Sequence, residues 1–138
     1  MTRSKRVEVP RSRARSYLEK GRQFLDAAKD AADGSRNDAA MSAAIHAAIS
    51  AADAVTVALA GLRSADQDHG RAADLLDEVG GRAGEVSSRA LQLRALLGKK
   101  NIVEYESRRA TAKEAADAVK RAGRLVAWAS TVVDAARL

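Results

Sequence analysis

Three polar side chains inside an apolar stretch have the residue types of a nucleophilic hydrolase site. His46, Ser50 and Asp53 are spaced by four and three residues, so on a helix they project from one face. Catalytic serine, histidine and aspartate converge from separate elements beside an oxyanion site, whereas neighbours on one helix are stacked along its axis. We therefore interpret the set as a polar stripe, either hydrogen-bonded inside a bundle or turned toward a groove or a partner.

Few other side chains could hold a metal or a cofactor. The chain has no Cys, which excludes a thiolate nucleophile and cysteine-ligated zinc, and its two His are at positions 46 and 69. The acidic residues that follow the apolar stretch are Asp66, Asp68, Asp74, Asp77 and Glu78. Their spacing is not that of a calcium loop, and the glycines at 80, 81 and 84 follow no predicted strand, so they predict a hinge. The sequence predicts neither a cofactor nor a metal.

Positive charge is concentrated at the N-terminus. The 138 residues carry a formal net charge of +6, and most of it comes from residues 1–16, where Glu8 is the only acid. Such a segment contacts phosphates or remains solvated, and no aromatic residue for base stacking interleaves with its charges. We expect residues 1–10 to form a flexible basic tail and residues 11–138 to form one helical domain.

Composition predicts an all-α fold. Alanine supplies 32 of the 138 residues, against one Pro and four aromatic residues. Apolar spacings of three and four predict helices over 11–33, 38–63, 69–79, 85–97 and 111–136. The short turns favour an up-and-down antiparallel helical bundle of four long helices and one short helix.

Local sequence patterns predict where two of the helices begin and which face of the first helix is buried. Asn37 or Asp38 is expected to cap the second helix, and Thr111 with Glu114 fits a capping box. The apolar face predicted for the first helix contains Ala14, Tyr17, Leu18, Gly21, Phe24, Leu25, Ala28 and Ala32.

The second helix is long and apolar enough to cross a bilayer. Between Asp38 and Arg63 its only ionisable side chains are His46 and Asp53. A helix that is apolar all round is either central to a bundle or a membrane span. Alanine is nearly neutral toward lipid and an aspartate near the middle opposes insertion, so the bundle interpretation is favoured and no membrane association is predicted. No apolar stretch follows the basic start, so the predicted location is the bacterial cytoplasm.

The order of these features resembles the HEPN domain (higher eukaryotes and prokaryotes nucleotide-binding). The segments that carry the resemblance are Tyr17–Gly21, Phe24–Ala28, Ala43–Ala54, Asp68–His69, Leu75–Leu76 and Lys100–Tyr105. The resemblance implies a helical bundle that forms a homodimer. It also implies, for many members, a ribonuclease that is often the toxin of a toxin–antitoxin pair.

The nuclease signature that the resemblance implies is altered in this chain. The signature is an Arg, four to six residues and a His, near the start of the last long helix, and two copies meet across the dimer. Here Lys100 is at the position of the Arg, Asn101 at the polar position that often follows, and Tyr105 at the position of the His. A tyrosine with an ordinary pKa of ~10 stays protonated at neutral pH, and Lys lacks the bidentate fork of Arg. We expect this member to lack that nuclease activity.

The leading hypothesis is therefore a non-catalytic, homodimeric binding or assembly module. Its ligand would be a nucleotide, an RNA or a cognate partner protein. The candidate ligand-binding residues are Lys100, Asn101 and Tyr105, together with Asp53.

Two other hypotheses stay open. Arg63 and His69 have five residues between them, so they could serve a ribonuclease toxin across a dimer, although they lie between the second and third helices. His69 could equally hold an N-terminal helix position through a structural hydrogen bond. Outside the family, the alanine-rich composition also suits a small helical partner protein that resembles a secretion substrate.

Overall fold

Helices dominate the part of the chain that the structure describes. The computed structural model describes residues 5–65, 70–80 and 84–138. Its strands are β1 (Arg6–Glu8) and β2 (Leu62–Ser64). Its α-helices are α1 (Ala14–Asp33), α2 (Asn37–Ala60), α3 (Gly70–Gly80), α4 (Gly84–Leu97), α5 (Lys100–Glu104) and α6 (Ala112–Ala135), and a 3-10 turn, Arg11–Arg13, precedes α1. The predicted all-α bundle is confirmed.

α2 is the central helix of the bundle. More than half of its 24 residues are buried, and α1 and α6 pack along it while α3, α4 and α5 cover other parts. By length and composition it could cross a membrane, but 61% of its most apolar 18-residue window is buried inside the protein. This burial is that of a core helix, and the prediction that the second helix is the buried middle of the bundle is confirmed.

Small residues allow α1 and α2 to approach closely. A Cβ atom at Gly21 would lie 3.4 Å from the carbonyl oxygen of Ala47 and 3.6 Å from the amide nitrogen of Ala51. The two backbones are thus nearly in contact at this point, as short side chains permit. This crossing fixes which side chains of α1 face α2.

The buried face of α1 is narrower than the sequence suggests. Its buried residues are Ala14, Leu18, Gly21, Leu25, Ala28 and Ala31. Tyr17 lies only partly buried at the edge of the core, and Phe24 is 39% exposed, so the prediction that Phe24 is buried is wrong. Each lies one residue before a buried position, and one residue is a rotation of about 100° around a helix.

Two pairs of packed helices run antiparallel, α1 with α6 and α3 with α4. Arg15 near the start of α1 pairs with Asp134 near the end of α6, with 3.1 Å between Nη1 and Oδ1. In the same way Arg94 near the end of α4 reaches Asp74 in the first half of α3, at 2.9 Å between Nη2 and Oδ1.

The N-terminal segment contributes a strand, β1. β1 pairs antiparallel with β2, with Arg6 opposite Ser64, and Val9 N–H donates to the carbonyl oxygen of Gly61 at 2.8 Å. Gly61 ends α2 in the left-handed region, with φ 64°, where glycine is favoured. The sequence analysis expected no strand, because three-residue strands are too short to show an alternating pattern. Residues 1–4 of the predicted tail lie outside the described residues.

The start of α6 follows the sequence signal, whereas the start of α2 does not. Thr111 and Glu114 form the predicted capping box. At α2 the N-cap residue is Arg36, which makes no side-chain cap, so the prediction that Asn37 or Asp38 caps this helix is wrong. The Asp38 carboxylate instead accepts a hydrogen bond from Ala110 N–H at 2.8 Å and thereby ties the segment before α6 to the start of α2.

Candidate functional site

Lys100, Asn101 and Tyr105, which we call the α5 corner, lie on and directly after the short helix α5. Partly buried Ile102 and Val103 hold this helix against the core. The Asn101 carbonyl oxygen accepts the Tyr105 N–H at 2.9 Å, which brings the last residue of the set back over the turn. Three of the four residues predicted as ligand-binding therefore lie together.

The side chains of the α5 corner are accessible. Tyr105 is 77% exposed and Asn101 is exposed, while the half-buried Lys100 has its Nζ 3.7 Å from Glu104 Oε2. An ion pair of this length at the surface contributes little, so Lys100 can exchange Glu104 for another anion. Chemically, the corner offers a cation, an amide and a free aromatic ring.

Asp53 occupies the other end of α2. It follows Asp38 by fifteen residues, which corresponds to about 22 Å along the helix axis. Asp38 holds the segment before α6, and Lys99, next to α5, lines a groove together with Lys113 of α6. The α5 corner is thus at the Asp38 end of α2, and Asp53 is grouped with different residues.

Burial without a partner dominates the chemistry of Asp53. Within the described residues, its carboxylate makes no hydrogen bond and no ion pair. Burial raises the pKa of Asp53 from 3.8 to about 7, and the positive charges of Arg63 and Lys20 oppose this rise. A carboxyl that titrates near neutrality can bind or release a proton, or accept a hydrogen bond from a ligand.

The polar stripe of α2 does not assemble a nucleophilic site. His46 is exposed, and its ring stacks on Phe24 with 5.3 Å between ring centroids and 28° between ring planes. Ser50 lies beside Gly21, and Asp53 is grouped with Lys20 and Arg63. Each member faces a different part of α1 or β2, so the stripe is turned toward the flank of α1.

The alternative pair of Arg63 and His69 is seen only in part. Arg63 is half-buried on β2, its Nη1 donates to the Ser64 carbonyl oxygen at 3.3 Å, and its charge acts on Asp53. His69 lies outside the described residues, as do Asp66 and Asp68 of the acidic set. The role assigned to Arg63 and His69 stays a prediction.

Sequence reasoning missed a row of side chains along the flank of α1, which we call the α1 row: Arg13, Tyr17, Lys20 and Phe24. Arg13, Tyr17 and Lys20 line a groove of about 270 Å³ between α1 and the segment after β1, with Glu8 and Ser16 also on its walls. Lys20 Nζ lies 5.9 Å from the centroid of the Tyr17 ring. The signal was present as spacings of four, three and four, but the two aromatic residues were assigned to the buried face.

Comparison with known families gives one match. The family model for the HEPN domain matches residues 14–132, which is most of the chain. No curated protein and no solved structure matches the chain significantly.

Proposed function

Because the chain belongs to the HEPN domain family, we propose that it is a non-catalytic, homodimeric binding module whose α5 corner takes a nucleotide or RNA. The observation that carries this proposal is Tyr105, a fully presented phenol at the position where the family resemblance implies the nuclease histidine. The histidine among the described residues, His46, is occupied with Phe24 on the flank of α1.

The α5 corner has the chemistry of a nucleotide contact. An exposed tyrosine ring can stack on a base of any identity, and such stacking contributes about 1–3 kcal/mol per base. Lys100 can neutralise a phosphate once it leaves Glu104, and the exposed Asn101 amide can both donate and accept a hydrogen bond.

The same residues argue against RNA cleavage at this corner. Attack by a ribose 2′-hydroxyl requires a base that can accept its proton near neutral pH. Lys100 and Tyr105 replace the arginine and the imidazole that the family resemblance implies, so the corner can hold a phosphate but lacks the imidazole that would accept this proton.

A nucleotide- and RNA-binding titration tests the proposal. We expect labelled single-stranded RNA or a nucleotide to bind without being cleaved, and the Tyr105→Ala and Lys100→Ala variants to bind at least about fivefold more weakly. Tyr105→Phe keeps the ring and is the matched control, so it should bind like the unmodified protein. Light scattering at several concentrations should give the mass of a dimer.

Three results would overturn the proposal. RNA cleavage that is lost in Arg63→Ala and His69→Ala variants would favour the ribonuclease toxin. Equal binding by the unmodified protein and both corner variants would place the ligand elsewhere. A monomer that binds no nucleotide or RNA would favour a module for a cognate partner protein.

A further inference from the structure

The α1 row alternates cations and aromatic rings along one side of the bundle. Tyr17, Lys20 and Phe24 are separated by three and four residues on α1 and so share one side of the helix, while Arg13, four residues before Tyr17, ends the 3-10 turn that leads into α1. Nucleic-acid-binding surfaces without sequence preference combine the same two components, positive charges for the backbone and rings for the bases.

The two cations of the α1 row are exposed side chains. Among the described residues, neither Arg13 nor Lys20 makes an ion pair, and Lys20 instead lies over the Tyr17 ring. Nearby cations of α1 are paired: Arg15 with Asp134 at 3.1 Å, and Arg22 with Glu19 at 3.7 Å. The charge of the row is therefore available to a ligand without the exchange of an ion pair.

The two rings are presented in different ways. Phe24 is 39% exposed and rests on His46, which fixes the orientation of the ring while leaving part of it open. Tyr17 is half-buried and forms part of the groove wall. Part of the Phe24 ring is therefore accessible to a ligand.

We propose that the α1 row is a binding site for single-stranded RNA. Arg13 and Lys20 hold successive phosphates, and Tyr17 and Phe24 stack on bases. The site is separate from the α5 corner and does not depend on a ligand there.

Glu8 gives the groove a preference for RNA over DNA. Glu8 lines the groove and, within the described residues, makes no ion pair. A carboxylate repels phosphate, but it accepts a hydrogen bond from a ribose 2′-hydroxyl, which DNA lacks. The groove therefore combines an acceptor for the sugar with the cations for the phosphates.

Fluorescence anisotropy with a labelled oligouridine tests the site, with oligodeoxythymidine and an RNA duplex of equal length as comparisons. The Arg13→Gln/Lys20→Gln variant should bind the oligouridine at least tenfold more weakly. Its slope of log K against log salt concentration should be smaller by about 1.4, which is 0.7 for each of two lost phosphate contacts. The matched control is Lys120→Gln/Arg124→Gln, which removes two exposed cations of α6 and should change affinity by less than about twofold.

Ring variants test stacking separately from charge. Tyr17→Ala and Phe24→Ala should each weaken binding by about five- to 150-fold, while Tyr17→Phe should bind normally. Phe24 is partly exposed, so its loss leaves the fold in place even if the Tyr17→Ala variant is unstable, and thermal unfolding checks both. Glu8→Ala should reduce the preference for RNA over DNA.

The result for the α5 corner separates this site from the proposed function. Loss of binding in the α1 row variants but not in Lys100→Ala or Tyr105→Ala supports the α1 row and rejects the corner as the RNA site. Loss in the corner variants alone overturns the α1 row. Equal affinity of the unmodified protein for RNA, DNA and the RNA duplex also overturns the α1 row. A change of oligomeric state in the row variants, with unchanged affinity for RNA, overturns it as well, because the row is then a contact between copies of the chain.

Discussion

Asp38 and Asp53 lie on the same helix but in opposite situations. Asp38, at the start of α2, accepts a hydrogen bond from the backbone N–H of Ala110 at 2.8 Å. Asp53, in the second half of α2, is half-buried, its side chain makes no hydrogen bond or ion pair in the described part of the chain, and burial raises its pKa to about 7. The first acid stabilises the junction between two helices, while the second costs stability whenever it is ionised.

This contrast separates structural from functional polar residues in an alanine-rich core. A buried acid with a donor stabilises its surroundings, whereas an isolated one is a candidate for ligand contact or proton exchange. The α5 corner is at the Asp38 end of α2. The α1 row is near Asp53, because Lys20 of the row acts on the Asp53 carboxylate. The two binding proposals therefore concern different parts of α2, and Asp53 is near the α1 row.

The largest expected effect comes from Asp53→Asn. A folded-state pKa raised from 3.8 to about 7 means that the folded protein binds a proton more tightly than the unfolded chain. The contribution of protonated Asp53 to the free energy of unfolding is therefore fully present below pH 4. It is lost as the pH rises to about 7, and the loss is up to about 4 kcal/mol. The neutral variant removes this loss, so above pH 7 it should be the more stable protein.

Urea unfolding of both proteins between pH 4 and pH 8 measures this effect. The difference in free energy of unfolding should be small near pH 4 and should grow toward pH 7. Parallel pH profiles would mean that Asp53 is solvated in the folded state.

Asp38→Ala is expected to have the next largest effect, in the opposite direction. Removal of the carboxylate leaves the N–H of Ala110, a residue only 4% exposed, without its partner. We expect the free energy of unfolding to fall by about 1–3 kcal/mol. Asp38→Asn retains an acceptor and should lose less in the same urea titration; equal losses would show that charge, not the hydrogen bond, matters there.

Thr111→Ala should have a smaller effect at the same end of the bundle. It removes the hydroxyl that accepts from Glu114 N–H at 3.1 Å, and an N-cap of this kind contributes about 1 kcal/mol. Thr111→Ser preserves the cap and serves as the control in thermal unfolding.

Arg108 and the capping hydrogen bond lower the pKa of Glu114 to about 2, so the contribution of its carboxylate to stability is present above pH 4.5 and is lost as the pH falls through 2.

Arg15→Gln should have the smallest effect of the series. Both members of its pair with Asp134 are more than half exposed, and such pairs contribute about 0–1 kcal/mol. Thermal unfolding at low and high salt should show little change. A large loss would mean that exposed acids matter as much as Asp38, and the comparison along α2 would fail.

Most of the helical fold could be predicted because its signals are local. The apolar run between Asp38 and Arg63 identified α2, and Thr111 with Glu114 marked the start of α6. β1 could not be found in this way, since its partner lies beyond two helices. α5 was also missed, because five residues are too few to show a helical period.

The candidate site was only partly predictable, because the exposure of a side chain depends on which elements pack over the helix face that carries it. The α5 corner is continuous in sequence, so Lys100, Asn101 and Tyr105 could be grouped without a structure. Whether Phe24 is buried or exposed depends on how α1 is rotated about its axis against α2. A rotation that corresponds to one residue changes the outcome, and the spacing of apolar residues alone does not resolve it. Asp53 was assigned to the corner because nothing in the sequence shows that it lies beside Lys20.

The pairing of β1 with β2 has a consequence for the order of folding. Joining Arg6 to Ser64 in a disordered chain closes a long loop, at an entropic cost on the order of 3–4 kcal/mol. Once α1 and α2 have formed their antiparallel pair, the two strands are already neighbours and little of that cost remains. During synthesis, Arg6–Glu8 are made before α1 yet acquire their backbone partners only after all of α2 has emerged and docked.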